Sequence, residues 1–218
     1  MAERVDLVIT VKALNRAKSR LLGAADHGVG DPAAHRALAL AIVRDTAAAA
    51  SATPGVRRVL VVTSDPTVAD ALATDGVATT SDRPDLGLNP AFGHGASLLL
   101  RADPMAWVAA LQSDLPALRT DELAAAIAEA DGRRAFCADR HGTGTTLLVA
   151  APGRPLDPRF GPGSAAAHAA SGAVLIGTEL PSLRCDVDTE DDLAVAGTLG
   201  LGTHTAAIVC VASCARRG

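Results

Sequence analysis

The chain has 218 residues, of which 49% are hydrophobic, 20% charged and 2% aromatic, with a formal net charge of -4 and a pI of about 5.8. This balance excludes an intrinsically disordered chain and offers no cationic excess for nucleic-acid phosphates. Three Phe, one Trp and no Tyr supply a base-stacking surface poorly, and the core is expected to be built mostly of Ala, Val and Leu.

No apolar run approaches the roughly 20 residues of a membrane helix, and the first six residues, MAERVD, carry no apolar leader core. A cytoplasmic protein without a membrane partner is expected. In chain order, residues 5–11 (VDLVITV) read as a buried strand. Asp31-Pro32 is a helix start, a cap followed by Pro in the first turn, and the helix is expected to run to about residue 50. Residues 59–63 (VLVVT) read as a second strand, 66–73 as a short helix and 77–79 as a third strand. The Asp/Pro/Gly-rich segment 81–90 reads as a loop, and 91–101 as a helix despite Gly93 and Gly95. Residues 108–112 form an apolar strand ending in Ser113-Asp114-Leu115-Pro116, after which Thr120 caps a helix running to about 130. Strands are expected at 135–139 and 145–149, a helix from Ser164, and a last strand at 183–186. Thr189 with Asp192 makes a capping-box start. Alternating strands and helices imply one α/β domain with a mostly parallel sheet flanked by helices. The domain is expected over 1–202, with 203–218 as a C-terminal tail.

In such sheets ligands bind at the carboxyl ends of the strands. Three segments there carry charge. After the first strand come Lys12, Asn15, Arg16, Lys18 and Arg20, a cationic loop suited to a polyphosphate or simply a solvated turn. It matches neither GxxxxGK[ST] nor GxGxxG. Asp114 follows an apolar strand, placed to hold a cation or to shape a turn. In Asp186-Val187-Asp188-Thr189, an extended backbone would turn both carboxylates to one side. Two such charges repel unless a cation separates them, and hard oxygen ligands suit Mg²⁺; the alternative is that Asp188 only caps a helix. Gly142-Thr143-Gly144-Thr145-Thr146 and Gly161-Pro162-Gly163-Ser164 let backbone N–H groups approach an anion, or serve as tight turns. Cys137, Cys185, Cys210 and Cys214 form no CxxC pair and read as reduced packing thiols. The six histidines are scattered and read as surface or loop residues.

The segments Val11-Lys12-Ala13-Leu14-Asn15-Arg16-Ala17-Lys18-Ser19-Arg20-Leu21, Gln112-Ser113-Asp114-Leu115-Pro116, Ala138-Asp139-Arg140-His141-Gly142-Thr143-Gly144-Thr145, Pro158-Arg159-Phe160-Gly161-Pro162-Gly163-Ser164 and Leu183-Arg184-Cys185-Asp186-Val187-Asp188-Thr189 together resemble the 2-phospho-L-lactate / phosphoenolpyruvate guanylyltransferases of coenzyme F420 biosynthesis. They are nearest to the actinobacterial branch, described as using phosphoenolpyruvate. The resemblance spans roughly residues 5–202. It implies a single Rossmann-like, GT-A-like nucleotidyltransferase domain that makes enolpyruvyl-diphospho-guanosine and pyrophosphate from GTP and phosphoenolpyruvate. It implies Mg²⁺ on Asp114, Asp186 and Asp188, phosphoenolpyruvate at Thr145, Gly161 and Ser164, and GTP at Lys12, Lys18, Arg20 and Asn89, with Lys18 also counted among the catalytic residues. A transferase joining the product to a deazaflavin is the expected downstream partner. Ser113 stands where the family has Gly, Ala13 and Asn15 soften the first signature, and residues 87–95 match poorly, which leaves recognition of the base open. So does the choice between phosphoenolpyruvate and 2-phospho-L-lactate. A catalytically silent nucleotide-binding module is the alternative from another class. Oligomeric state is not legible.

Overall fold

The structure, a computed structural model, describes residues 4–14, 21–25, 28–82 and 87–214, with side chains to residue 210. Among the described residues seven strands form one sheet, in the order β3-β2-β1-β4-β6-β5-β7. They are β1 (Val5–Val11), β2 (Val56–Thr63), β3 (Ala78–Thr80), β4 (Trp107–Leu111), β5 (Ala135–Ala138), β6 (Thr145–Val149) and β7 (Val174–Ile176). β1 pairs in parallel with β2 and β4, β2 with β3, and β5 with β7, while β6 runs antiparallel between β4 and β5. The helices are α1 (Pro32–Ala52), α2 (Pro66–Thr74), α3 (Leu88–Ala102), α4 (Thr120–Ala130), α5 (Ser164–Ala170), α6 (Glu190–Leu199) and α7 (Thr203–Cys214).

Side-chain alternation on β1 sorts the core into two layers. Val5, Leu7, Ile9 and Val11 join Ala39 and Val43 of α1, Val68 and Leu72 of α2, and Leu123 and Ile127 of α4. Val8 faces the other side, with Phe92, Ala96 and Leu99 of α3 and Ala165 of α5. Burial on both faces explains why β1 reads as an unbroken apolar run. The one charged exception, Asp6, is fully buried and accepts hydrogen bonds from Arg57 and Arg58. α1 and α2 begin as their Asp-Pro sequences dictate: Asp31 accepts from the amides of Ala33 and Ala34, and Asp65 from those of Thr67 and Val68.

Four sequence expectations change. α3 begins at Leu88, inside the segment read as a loop. Arg119, not Thr120, precedes the first turn of α4, without a side-chain cap. Residues 183–186, expected as a strand, form a turn and an irregular stretch, and the strand on that side of the sheet is β7. Residues 203–214, expected as a tail, form α7, which is packed on α1. Asp45 of α1 accepts from the amides of His204 and Thr205 at 3.0 and 2.7 Å, and Gly202 donates to the Pro116 carbonyl at 2.8 Å. Among the described residues no single helix is long and apolar enough to cross a membrane.

Candidate active site

The carboxyl ends of β1 and β4 open into a cavity of about 310 Å³. Lys12 continues β1 into it, and Gln112, Ser113 and Asp114 continue β4. Asp188 lies on the same wall, and Ile42 and Val43 of α1 form an apolar floor. Three residues singled out in the sequence, Lys12, Asp114 and Asp188, therefore meet in one place. Backbone bonds hold the carboxylate segments there. The Leu115 amide donates to Thr46 Oγ1 of α1 at 3.0 Å, and the Val187 amide donates to the Asp114 carbonyl at 3.0 Å. Val187 is fully buried, as the alternation of its segment predicts.

Asp186 does not join them. Burial alternates through the segment, and the chain then bends at Asp188, but of its two carboxylates only Asp188 lines the cavity. Asp186 is half-buried and within electrostatic reach of Arg140. Among the described residues no group of three or more His, Cys, Asp or Glu side chains comes together to hold a metal. What remains is a pair of hard oxygen donors on one cavity beside a lysine. That set fits an ion such as Mg²⁺, which takes one or two carboxylates and completes its shell with water and substrate phosphates. Lys18 and Arg20 lie outside the described residues.

The bend at Asp188 is tied to the Gly/Thr loop. Asp192 of α6 accepts from the amides of Asp188 and Thr189 at 3.1 and 2.9 Å, and Thr189 closes the capping box. The same carboxylate binds the Arg140 guanidinium. Burial alone would raise the Asp192 carboxyl; the hydrogen bonds from Arg140, Thr189 and the two amides outweigh it and hold it below the usual range. Asp139 shapes the loop itself, accepting from the amides of Thr143 and Gly144 at 2.9 and 2.8 Å. Gly144 is required there, because a Cβ would stand 2.5 Å from Asp139 Oδ2.

Thr145, Gly161 and Ser164 gather around α5. The register of β5 and β6 skips Thr146, since Cys137 pairs with Leu147 and Ala138 with Thr145. This is a β-bulge, a device that re-aims side chains beside functional sites. Thr145 Oγ1 thereby reaches His168 Nδ1 of α5 at 2.9 Å. The Arg159 amide donates to His168 Nε2 at 2.9 Å. Ser164 opens α5, and its amide donates to the Gly161 carbonyl at 3.0 Å. Asn89, expected to contact a base, is committed elsewhere: its Nδ2 donates to the Phe160 carbonyl at 2.9 Å and its Oδ1 accepts from the Phe160 amide at 2.7 Å. Phe160 also stacks on Phe92, ring centroids 4.6 Å apart.

His168 corrects the view of the histidines as surface or loop residues, for it is fully buried. Burial, reinforced by the nearby Arg134 and Arg159, pushes its pKa down to about 4. The sequence held one signal for it. Ser164 and His168 are four apart and so share a helix face. Cys137 and Cys185 are buried free thiols, and burial pushes Cys137 up to about 11, so it is inert at neutral pH. Cys210, by contrast, is exposed. A larger cavity, about 480 Å³, opens between the amino-terminal half of β2 and the start of β3, but its arginines, Arg57 and Arg58, are engaged by Asp6.

No family model matches the chain. Among curated relatives, the phosphoenolpyruvate guanylyltransferase of Salinispora arenicola is 51% identical over 203 residues, covering 92% of this chain and 91% of its own. Those of Thermomonospora curvata and Streptomyces coelicolor are each 50% identical over 204 residues, covering 93% of this chain and 87% and 94% of their own. Among solved structures, a nucleotidyl transferase from Methanothermobacter superposes with a TM-score of 0.55 at 17% identity, covering 90% of this chain and 97% of its own. A 4-diphosphocytidyl-2C-methyl-D-erythritol synthase gives 0.59 at 12%, covering 91% and 99%. At these identities the structural likeness establishes the fold, that of nucleotidyltransferases.

Proposed function

Since the chain belongs to the phosphoenolpyruvate guanylyltransferase family, we propose that the cavity joining Lys12, Asp114 and Asp188 is where it transfers GMP from GTP to phosphoenolpyruvate. The observation that carries this placement is the meeting of those three side chains at the carboxyl ends of β1 and β4. A phosphate oxygen of phosphoenolpyruvate attacks the α-phosphorus of GTP. The bond from that phosphorus to the bridging oxygen breaks, and pyrophosphate departs with the electron pair. A phosphate monoester, with a second pKa of about 6, is largely deprotonated at neutral pH. No side chain has to remove a proton, which agrees with the absence of a nucleophile–base pair in the sequence motifs.

The obstacle is the approach of two anions, and the chain answers it with positioning and charge. Lys12 offsets phosphate charge at the cavity mouth. Lys18 and Arg20 extend that role along the triphosphate, by resemblance to the family. Asp114 and Asp188 would hold Mg²⁺, which when bound supplies charge neutralisation and a template for in-line geometry. Asp186 stands outside the pair, beside Arg140. Thr145, Gly161 and Ser164 receive phosphoenolpyruvate, by resemblance to the family. The product is passed to a transferase that joins it to a deazaflavin, in coenzyme F420 biosynthesis.

The test is pyrophosphate release with Mg²⁺, crossing GTP, ATP and CTP with phosphoenolpyruvate and 2-phospho-L-lactate. Release with GTP and phosphoenolpyruvate alone is expected. Preference for 2-phospho-L-lactate overturns the substrate, and no release under any pairing overturns the activity. Asp188→Asn is expected to lower kcat about a hundredfold or more, by analogy with deleting one electrostatic stabiliser. Because Asp188 is exposed, its melting temperature should stay within about 2 °C of the parent, surface changes being worth about 0.5 kcal/mol or less. Full activity in Asp188→Asn refutes the metal role.

A further inference from the structure

A backbone N–H only donates, so the Arg159 amide at 2.9 Å from His168 Nε2 requires a lone pair on that nitrogen. The ring is then neutral and carries its proton on Nδ1. Nδ1–H points at Thr145 Oγ1, 2.9 Å away, and the hydroxyl accepts. An oxygen that accepts from the ring keeps its own hydrogen to donate in another direction. The ring itself has little freedom to move. It is fully buried, meets Phe160 edge-on at 5.2 Å, and lies 6.1 Å from Phe136. Asn89 grips the amide and carbonyl of Phe160 from the other side. Arg159 and Phe160 lead directly into Gly161, so one histidine fixes both the hydroxyl of β6 and the start of the Gly161–Ser164 loop.

We propose that His168 is a positioning residue for phosphoenolpyruvate: by accepting from Arg159 and donating to Thr145, it aims the Thr145 hydroxyl hydrogen at an anionic oxygen of that substrate. The inference rests on the assignment of Thr145 to phosphoenolpyruvate made above. The charges that face the ring, Arg134, Arg159 and Asp157, lie around the same loop, and burial keeps the ring neutral at working pH.

Initial rates across both substrates test it. His168→Leu is expected to raise KM for phosphoenolpyruvate tenfold or more while KM for GTP moves less than twofold. Thr145→Val should do the same, and the double variant should be no worse than the poorer single one, because both remove one pathway. His168→Asn, whose amide nitrogen stands near the Nδ1 position, should recover most of the loss. Equal shifts in both KM values, additive effects in the double variant, or an unchanged His168→Leu each overturn the proposal. An inactive wild type removes the function itself. An active wild type with an unaffected Thr145→Val removes the Thr145 contact and the proposal with it. A shift in Thr145→Val without one in His168→Leu removes the proposal alone. Nitrogen-15 NMR of the intact wild-type protein, with the ring signals assigned by their loss in His168→Asn, should show protonated Nδ1 and bare Nε2. The opposite tautomer overturns the proposal whatever the variants do.

Discussion

Asn89 offers the Phe160 backbone one donor and one acceptor, as a neighbouring strand would. Removing it strands a part-buried amide and carbonyl, which costs about 1–3 kcal/mol. It also frees the chain just before Gly161. Asn89→Ala should therefore raise KM for phosphoenolpyruvate about fivefold or more, for want of the ordered loop, a change worth about 1 kcal/mol. KM for GTP should hold. A residue contacting the base would give the reverse, so the two KM values decide between the structural reading and the sequence expectation. Lys12, Asp114 and Asp188 were legible because each follows an apolar strand or precedes a capping box, signals local to the chain. Asp186, read as a partner of Asp188 from the alternation, does not line that cavity. The Thr145–His168 bond was not legible, since it depends on a bulge in β6 and on a helix 23 residues away.

The same division between local and tertiary signals holds for whole elements. β1, β2, β4 and β6 announce themselves as apolar runs, and α1, α2 and α6 by their caps. β7 is three residues long and has too little pattern to register, whereas 183–186 carried a strand-like composition but is folded as a turn. α3 was read as a helix in spite of its two glycines, and the structure separates their roles. A Cβ at Gly95 would lie 2.6 Å from Val8 Cγ1 and 2.8 Å from Val62 Cγ2, so the helix can rest this close to the sheet only with glycine there. At Gly93 a Cβ meets nothing within 4 Å. Alanine is favoured over glycine inside a helix by about 1 kcal/mol, and the clash must exceed that gain at Gly95. Gly95→Ala is expected to destabilise by about 1–3 kcal/mol, the usual cost of overpacking, and Gly93→Ala to stabilise by about 0.5–1 kcal/mol. Urea denaturation of the pair measures both, and equal signs would mean that α3 can lift from the sheet at little cost.

Across the whole molecule, two of the buried ionisable groups, Asp6 and His168, are held in opposite states, one ionised and one neutral. Asp6 lies toward the amino end of β1 and accepts from Arg57 and Arg58. Burial raises its pKa, but the arginine bonds outweigh this and hold it below the usual carboxylate range. His168 lies on α5, held at about 4 against its ordinary 6.5, chiefly by burial. Both make the fold sensitive to acid, in different windows. The stability tied to neutral His168 is complete above about pH 6.5, where the unfolded ring is also neutral, and drains as pH falls toward 4, because only the unfolded chain then binds the proton. The stability tied to ionised Asp6 is complete above the unfolded carboxylate value of about 3.9 and is lost only below it. Loss of stability between pH 6.5 and 4 should therefore belong mainly to His168. It should approach one proton per molecule near pH 5, about 1.4 kcal/mol per pH unit. Denaturant titrations at pH 7, 6, 5 and 4 should show that slope in the wild type and a markedly flatter one in His168→Asn, which has no ring to protonate. Parallel slopes would mean that the imidazole takes up its proton without leaving the fold, and would contradict the Arg159 amide as its fixed donor.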